Sequence, residues 1–380
     1  MQNSPTMPKP GGLTAFPCGF GQSDTHAVVL NDGSPNRHPS AGTPYSTITM
    51  TEIESMVMTP QTVAKERGQW FIPSDHAGHD ARSHAAQRER GRFHALTADV
   101  DKGNPALDAL DAALVGILGD VRRLIYSTAS ATPELPRWRV VIPLASPLPG
   151  IEFSDTQKAF FDLMGEAGII CDYKLTGTGQ LVYLPNAPSG FYDRLVTGAN
   201  LLHLGPNHHV IVKRERDRAM IAEGREAAAR VRQERAARGG DDAGVIDQYN
   251  AIYSVAQMLE QSDYSRAGDE SIDWRSKYQS SNSYATRDMG DHWVSLSGSD
   301  ADEGIGAPTA SGARHGDAFD LFCHFQCDRD VTKAVRAARS FVGLTNHRQN
   351  APEGIPQMPG VDAPAPVLRD FETLNLHARH

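Results

Sequence analysis

The sequence is poor in cysteine and has no long apolar run. Its 380 residues include four cysteines, at positions 18, 171, 323 and 327, in no regular framework, which argues against a disulfide-stapled secreted domain. No apolar stretch approaches the ~20 residues that a membrane span needs. The amino terminus has no charged region followed by a continuous apolar segment, so no secretory signal is evident. These absences predict a soluble, cytoplasmic protein that contacts no membrane.

The sequence also lacks an excess of basic residues and a phosphate-binding P-loop. A net charge of −9 argues against a simple nucleic-acid binder, which usually has a basic footprint. A metal-dependent polymerising site is itself acidic, so the charge does not exclude one. No Gly-x-x-x-x-Gly-Lys-[Ser/Thr] motif occurs anywhere, and the sequence therefore predicts no ATP-driven motor in this chain.

The segment LTADVD, residues 96–101, is the most informative part of the chain. Side chains alternate in an extended strand, so Asp99 and Asp101 are expected on one face and Val100 on the core side. Two carboxylates about 7 Å apart on a strand can bind a pair of hard divalent cations. Asp172, expected on a neighbouring strand, is the candidate third ligand. Asp-x-Asp pairs also occur on solvated strands, so the interpretation of this pair depends on the segments that follow it.

Those segments alternate between helical and strand patterns. Helices are expected over about 108–122 and 155–168, and strands over 123–128, 137–144, 171–172 and 181–185, the second of them ended by Pro143. In the second strand an apolar face alternates with a face that carries Arg137 and Arg139. The resulting order is acidic strand, helix, strand, arginine-bearing strand, helix, acidic strand.

The chain resembles archaeo-eukaryotic-type primases in the order of three motifs. These are the aspartate pair, the block from YSTAS to PRWRVVIPL, and the block from Asp172 to YLP. The likeness is greatest to the primase-polymerase domains of phage and plasmid replication proteins and covers about residues 60–200. It implies an RRM-like sheet in which Asp99, Asp101 and Asp172 are catalytic and hold Mg²⁺ or Mn²⁺. It also implies a single-stranded DNA template, NTP or dNTP substrates, a bacterial host cytoplasm and a separate replicative helicase.

One departure from the family pattern lies in the segment STAS, residues 127–130. The family usually has a phosphate-contacting histidine where this chain has Ala129, and alanine cannot donate a hydrogen bond. Loss of one such contact lowers a rate by about 10²–10³. The remaining candidates for nucleotide-phosphate binding are Ser127, Thr128, Arg137 and Arg139. An exposed strand face is the alternative interpretation of the two arginines.

Composition divides the chain into five segments. Residues 1–48 hold seven prolines and six glycines and are expected to be disordered. The catalytic domain spans 49–205, with a helix expected to begin at Thr59 and Pro60. A charged helical linker, 206–242, has nine basic and five acidic residues over 213–238 and is either solvated or in contact with the DNA backbone. A C-terminal module, 243–345, precedes a flexible tail, 346–380.

The C-terminal module is expected to be a small α/β unit that engages DNA. Helices are predicted over 245–261 and 331–342, and the closing Gly-Asp-hydrophobic turn resembles the zinc ribbon of bacterial primases without its metal. Cys323, His324 and Cys327 fall in a predicted helix with no second cysteine pair upstream, so no zinc is expected. The candidate nucleic-acid-binding residues are Arg82, Trp274, Arg275 and Lys277. Trp274, Tyr278 and Trp293 are interpreted as stacking or core residues, and the core is favoured for each of them.

The histidines in the loop DHAGHDARSH, residues 75–84, are interpreted as solvated, because their spacing does not match a tetrahedral site. Taken together, the sequence predicts an α+β replication protein that performs two-metal nucleotidyl transfer to make primers. Two rivals remain. One is a non-catalytic replication-initiation or DNA-binding protein that kept the primase fold; the other is a metal-dependent nuclease that uses the same acidic cluster.

Overall fold

The computed structural model describes the strand at 15–16 and residues 48–343 apart from 66, 67, 79, 189, 269 and 270. Nearly all of the predicted disordered segment 1–48 and the whole of the predicted flexible tail 346–380 lie outside the described residues. Helices and antiparallel strands are mixed along the described chain, which is of the α+β class. Within that part of the chain, no helix is both long and apolar enough to cross a membrane.

The first unit is built around a four-stranded antiparallel sheet with the order β4-β6-β5-β8. Its elements and those around it are β1 (Ala15–Phe16), β2 (Ile48–Thr49), α1 (Met50–Met58), β3 (Trp70–Phe71), α2 (His84–Arg90), β4 (Arg92–Val100), α3 (Leu107–Leu118), β5 (Arg123–Ser127), β6 (Trp138–Pro149), α4 (Gly150–Glu166), β7 (Val182–Tyr183) and β8 (Arg194–Thr197). Two two-stranded pairs, β1 with β2 and β3 with β7, flank the sheet. A short 3₁₀ turn, Tyr173–Thr176, follows α4.

The core of this unit fills the sheet and the helices packed on it. Strand β4 is almost continuously buried, because it pairs along its whole length with β6 and lies under α4. The side chain of Gln157 on α4 donates a hydrogen bond to the backbone carbonyl of Thr97 on β4. Phe93 of β4 stacks on Phe153 of α4 with ring centroids 3.8 Å apart. These contacts fix the strand that carries the aspartate pair.

The second unit contains a six-stranded antiparallel sheet with the order β13-β14-β12-β11-β10-β9. Its elements are α6 (Asp241–Ile252), α7 (Val255–Gln261), β9 (Ser265–Arg266), β10 (Asp273–Arg275), β11 (Thr286–Asp288), β12 (Trp293–Ser295), α8 (Gly298–Asp302), β13 (Ala307–Pro308), β14 (Arg314–Gly316), α9 (Ala318–Gln326) and α10 (Val331–Phe341). A separate aromatic core, centred on Tyr249, Phe319 and Phe322, holds its helices together.

A single long helix, α5 (His209–Arg238), runs between the two units. It packs on α3 and α4 of the first unit and on β12 and β14 of the second. The sequence suggested a helix polar nearly all round, yet one side is buried at Val210, Ile211 and Arg214, and again at Gly224, Ala227 and Ala228. Arg214 is buried because its guanidinium donates to the carboxylate of Glu152 (2.9 Å).

Several predicted element boundaries are wrong, each for a local reason. The first helix ends, rather than begins, near Thr59: α1 starts after Thr49, whose hydroxyl and Glu52 form a capping box. Strand β6 continues through Pro143 to Pro149, because beyond Val141 it pairs with β4 and no longer with β5, and proline is tolerated at such an edge. The predicted helix 245–261 is interrupted at Tyr253, and Ser254 caps a new helix, α7.

Two predicted strands are also altered. Asp172 belongs to no strand; it precedes the 3₁₀ turn and caps it. The predicted strand 181–185 is reduced to the two residues of β7, which pair with β3 outside the main sheet. The other expected elements of the first unit are present, and the helix predicted at 331–342 is observed as α10.

Candidate active site

The aspartate pair lies where β4 leaves the sheet. Asp99 is on the strand and Asp101 directly follows it, while Val100 between them is fully buried as predicted. In the β4–β6 ladder Asp99 is paired directly with Arg139, and residues opposed in an antiparallel sheet share a face. The Arg139 guanidinium Nη2 lies 2.5 Å from Asp99 Oδ2. Asp99 is therefore one half of a cross-strand ion pair.

Arg139 is held in place from three directions. Beyond the bond to Asp99, its Nη1 donates to the backbone carbonyl of Tyr183 (3.2 Å). The hydroxyl of Tyr126, which is opposite Arg139 on β5, donates to the same carbonyl (2.8 Å). The guanidinium also lies 5.5 Å from the centroid of the Tyr183 ring, within the range of a cation–π contact. With 12% of its side chain exposed, Arg139 is a positioning partner of Asp99.

Asp172 joins the pair through the backbone. Its N–H donates to the carbonyl of Asp99 at 2.8 Å, so the segment before the 3₁₀ turn runs beside the end of β4. Its carboxylate Oδ1 accepts from the N–H of Lys174 at 3.0 Å. The neighbouring Cys171 is buried, and burial together with the charges of Asp99 and Asp172 raises the pKa of its thiol. Without a metal ion that thiol stays protonated at pH 7.

The electrostatics of Asp101 show that these groups act on one another. Partial withdrawal from water raises the pKa of the Asp101 carboxyl, and the charge of Asp99 raises it further, with a smaller effect from Asp172. Arg139 and Arg137 act in the opposite direction and lower it. The three carboxylates and two arginines singled out in the sequence thus lie within electrostatic range of one another.

The segment expected to bind nucleotide phosphates lies against Arg137. The N–H of Thr128 donates to the carbonyl of Arg137 (3.0 Å), and the Arg137 guanidinium donates to the hydroxyl of Ser130 (3.3 Å). Ser127 is fully buried, and its hydroxyl accepts from the N–H of Asp193 (3.1 Å). Ser127 and Thr128 are buried, whereas Arg137 is partly exposed and lies beside the carboxylates of the site.

A cavity of about 740 Å³ opens between the two units at this point. We call it the acidic cleft. Asp101 and Asp172 line its floor on the first unit, and the second unit contributes Trp274, Arg275 and Tyr284. Three more basic side chains line it, namely Lys102, Lys174 and Arg266. Glu260 of α7 is a third carboxylate in the lining. The cleft therefore has two aspartates on the first unit, one glutamate on the second, and cations and aromatic rings beside them.

Direct contacts between the units fix the two walls of the acidic cleft. The ring of Tyr284 packs on Tyr173 with centroids 4.8 Å apart, and Tyr173 donates to Asp162 (2.5 Å). Arg287 of the second unit bonds both Asp273 on its own strand (2.9 Å) and Asp155 on α4 (3.3 Å). Because these contacts are buried or half-buried, the cleft is a preformed feature.

The remaining candidate nucleic-acid residues are distributed unevenly. Trp274 is 3% exposed and contributes to both the core and the wall of the cleft. Arg275 lies over the Tyr284 ring, 5.8 Å from its centroid. Lys277 pairs with Asp263 (3.1 Å) and does not line the cleft. Arg82 lies over the Trp70 ring (5.9 Å) and is likewise not among the cleft residues.

The loop histidines show no metal-site geometry in the residues that the structure describes. His76 Nε2 lies 2.8 Å from Asp80 Oδ1, and His84 Nδ1 accepts from the N–H of Gly179 (3.0 Å). His79 lies outside the described residues. Cys323 and Cys327 are buried, as expected, on and at the end of α9.

The donors for a divalent cation are present only in part. Asp99 Oδ1 is buried and has no hydrogen-bond partner, which suits a hard cation because carboxylate oxygen is the ligand that Mg²⁺ and Mn²⁺ prefer. In the described part of the chain, however, no three His, Cys, Asp or Glu side chains converge as a ready metal site. Asp99 and Asp101 fit the role, and Asp172 can offer Oδ2 while its Oδ1 accepts from the Lys174 N–H.

Sequence reasoning missed the residues that support the site. Tyr126 and the Tyr183 carbonyl anchor Arg139, and Lys174, Arg266 and Tyr284 line the acidic cleft. Pairing the predicted strands would have placed Tyr126 opposite Arg139, since both belonged to strands that were predicted. No local signal identifies Arg266 or Tyr284, because they reach the cleft only through the docking of the second unit.

Comparison of the chain with models of protein families, with curated proteins and with solved structures finds no match to any of them.

Proposed function

We propose that this chain is a template-directed nucleotidyl transferase of the primase-polymerase type. The observation that carries the proposal is the acidic cleft, in which Asp101 and Asp172 are joined by cationic and aromatic side chains from a second unit. Carboxylates that hold Mg²⁺ or Mn²⁺ suit nucleotidyl transfer, while Arg and Lys beside aromatic rings suit single-stranded DNA, whose phosphates and bases they contact.

The order of elements in the first unit supports an RRM-like assignment. Strand β4, helix α3, strands β5 and β6 and helix α4 follow one another, and β6 lies between β4 and β5, as in β-α-β-β-α-β folds of the ferredoxin-like kind. The fourth strand differs, since β8 pairs with β5 rather than with β4. The segment that carries Asp172 runs beside the free edge of β4 instead.

In the proposed reaction each residue has a limited task. Divalent cations would supply charge neutralisation and activation of the attacking hydroxyl when bound by Asp99, Asp101 and Asp172. Arg139 orients Asp99, because its guanidinium is held beside one oxygen of that carboxylate. Arg137, beside the carboxylates and partly exposed, is the candidate that steadies a triphosphate. Lys174, Arg266 and Arg275 would contact the DNA backbone along the cleft.

A second candidate is a non-catalytic DNA-binding protein with the same fold. The Asp99–Arg139 ion pair favours it, since one aspartate oxygen is already neutralised without any cation. Ala129 in place of the expected histidine points the same way. In this case the cleft would bind single-stranded DNA, and divalent cations would not alter the affinity.

A primer-extension assay tests the proposal. The full chain is given single-stranded template, labelled NTPs or dNTPs, and Mg²⁺ or Mn²⁺. We expect product with the wild type, a loss of 10²-fold or more in Asp101→Asn and Asp172→Asn, and normal product in Glu166→Gln, an exposed carboxylate at the end of α4.

Three outcomes contradict the proposal. Equal product from wild type and both cleft variants places the activity elsewhere. DNA binding without product under either metal establishes the non-catalytic candidate. Degradation of the template in the absence of nucleotides identifies a nuclease.

A further inference from the structure

A second cavity lies in the C-terminal unit and shares no lining residue with the acidic cleft. Its volume is about 310 Å³, at the lower end of the range for small-molecule sites. Helix α5, strand β14 and helix α9 enclose it together with the turn at Gly304–Gly306. We call it the histidine cavity, after His292, His315 and His324 in its lining.

His292 is the clearest sign of a missing ligand. The side chain is 5% exposed, and its Nδ1 lies 2.5 Å from Asp291 Oδ1. The other ring nitrogen, Nε2, is buried and has no hydrogen-bond partner. Leaving a buried polar atom unpaired is unfavourable, and a ligand with a matching donor or acceptor in the cavity would remove that penalty.

The other polar groups of the interior carry little net charge. Burial lowers the pKa of His315 and of His324, so both imidazoles are neutral at pH 7 and each offers one donor and one acceptor. Burial, reinforced by the charge of Asp317, raises the pKa of Asp320 to about 7. Such an interior suits an uncharged planar heterocycle with donors and acceptors along its edge.

Two arginine side chains lie at the rim of the histidine cavity. Arg232 and Arg329 line the cavity, with 37% and 58% of their side chains exposed. Their present partners are exposed carboxylates, Asp291 and Glu303 respectively. Exposed pairs of this kind contribute little, so the guanidinium groups are free to exchange them for a phosphate, which arginine binds in a bidentate manner.

We propose that the histidine cavity binds a nucleoside phosphate, with the base among His292, His315 and His324 and the phosphate at Arg232 and Arg329. The site is separate from the proposed catalytic function and does not depend on it. A metal ion is the weaker fit, because no three ligating side chains converge within the residues that the structure describes.

Calorimetric titration of the full chain, without divalent cations, tests the assignment. The probes are the four common nucleoside 5′-monophosphates, adenosine and inorganic phosphate. Val231→Trp fills the mouth of the cavity from α5, and Val212→Trp is its matched control, exposed on the same helix but outside the lining. His292→Phe keeps a ring of similar size and removes both nitrogens. A thermal melt checks that each variant is folded.

We expect at least one nucleoside monophosphate to bind saturably to the wild type, to Val212→Trp and to Asp101→Asn. Val231→Trp should abolish that binding, and His292→Phe should weaken it about tenfold through loss of one buried hydrogen bond. Absence of binding to the wild type overturns the proposal, as does binding unchanged in Val231→Trp. Equal affinity for adenosine and AMP, or for phosphate and AMP, overturns the ligand class.

Discussion

The ion pairs on β4 and α4 and the interior around α9 treat buried polar groups in opposite ways. On β4 and α4 opposite charges are paired: Asp99 with Arg139 across the sheet, and Lys158 with Asp162 along α4. The interior around α9 holds neutral imidazoles and a carboxyl whose pKa is raised to about 7. A group whose pKa differs between the folded and unfolded chain makes stability depend on pH. We therefore expect the first region to be sensitive to the loss of a partner and the second to be sensitive to pH.

The largest effect is expected from breaking the cross-strand pair. Asp99→Ala leaves the Arg139 guanidinium half-buried without its carboxylate, which should lower the free energy of unfolding by about 3 kcal/mol. Adding Arg139→Met to that variant should restore most of the loss, since an apolar side chain replaces the uncompensated charge. Urea denaturation of the two variants and the wild type measures both changes. Equal stability of Asp99→Ala and wild type would refute the locked pair.

This result also changes the choice of catalytic control. A carboxylate that serves only as a metal ligand could be replaced by alanine with loss of synthesis and an intact fold. The pairing with Arg139 means that loss of activity in Asp99→Ala would combine a chemical and a structural effect. Asp101→Asn and Asp172→Asn are the cleaner variants, because neither carboxylate is paired with a buried cation.

A somewhat smaller effect is expected at the junction of the two units. Arg287→Met removes the guanidinium that joins Asp155 of α4 to Asp273 of β10 and should lower the free energy of unfolding by about 2 kcal/mol. The acidic cleft should become more open to protease at the same time. Limited proteolysis beside a denaturation curve tests this. The control is Arg339→Met on α10, whose ion pair with Asp242 lies within the second unit, away from the junction.

The pH dependence of the second unit should follow Asp320. Its folded pKa, about 7, lies above the ordinary value of 3.8, so the folded state holds the proton more tightly than the unfolded chain. Stability from this group is therefore complete at low pH and falls as the pH rises, by on the order of 1–2 kcal/mol between pH 5.5 and 7.

The variant Asp320→Asn isolates the contribution of the Asp320 carboxyl to the pH dependence of stability. Its side-chain oxygen can still accept from the N–H of Asp317, as Asp320 does now (2.9 Å). Histidines whose pKa is lowered by burial, such as His315, change the stability with pH in the opposite direction. Their contribution is the same in both proteins, so it cancels when the melting temperature of the variant is subtracted from that of the wild type at each pH. A difference that does not change with pH would contradict the assignment.

The smallest effect is expected at Asp101. Its pKa is raised in the folded protein by desolvation and by Asp99, so at pH 7 folding places an ionised group in an unfavourable environment. Asp101→Asn should stabilise the chain by a few tenths of a kcal/mol, reduced by solvent screening because the side chain is exposed. A melting temperature below that of the wild type would contradict this.

Much of the first unit could be predicted because its signals are local. Alternation identified β5 and β6, helical periodicity identified α3 and α4, and the aspartate pair marked the end of β4. The errors arose where a cap or a tertiary contact overrode the pattern. Thr59 resembles an N-cap, but the capping box at Thr49 starts a helix that ends at Thr59, which is its C-cap. Asp172 lies outside the sheet and caps a 3₁₀ turn.

The sequence predicts the candidate residues of the site but not how they are arranged in space. The sequence predicts both arginines and all three aspartates as candidates, yet the strand register that sets Asp99 against Arg139 is a property of two strands 40 residues apart. The cationic and aromatic wall of the acidic cleft depends on how the second unit docks. No pattern within either segment encodes that docking.

The close approach of β12 to α5 depends on one residue, Gly224. A Cβ at this position would lie 2.7 Å from the side chain of Val294, so any other residue would push strand and helix apart. A glycine inside a helix is unfavourable by roughly 1 kcal/mol relative to alanine, and here it allows a 30-residue helix, about 45 Å long, to touch both units. The helix then acts as a rigid strut that sets the separation of the acidic cleft and the histidine cavity. Lengthening side chains at 224 in steps, from alanine to valine, would adjust that separation as a spacer does.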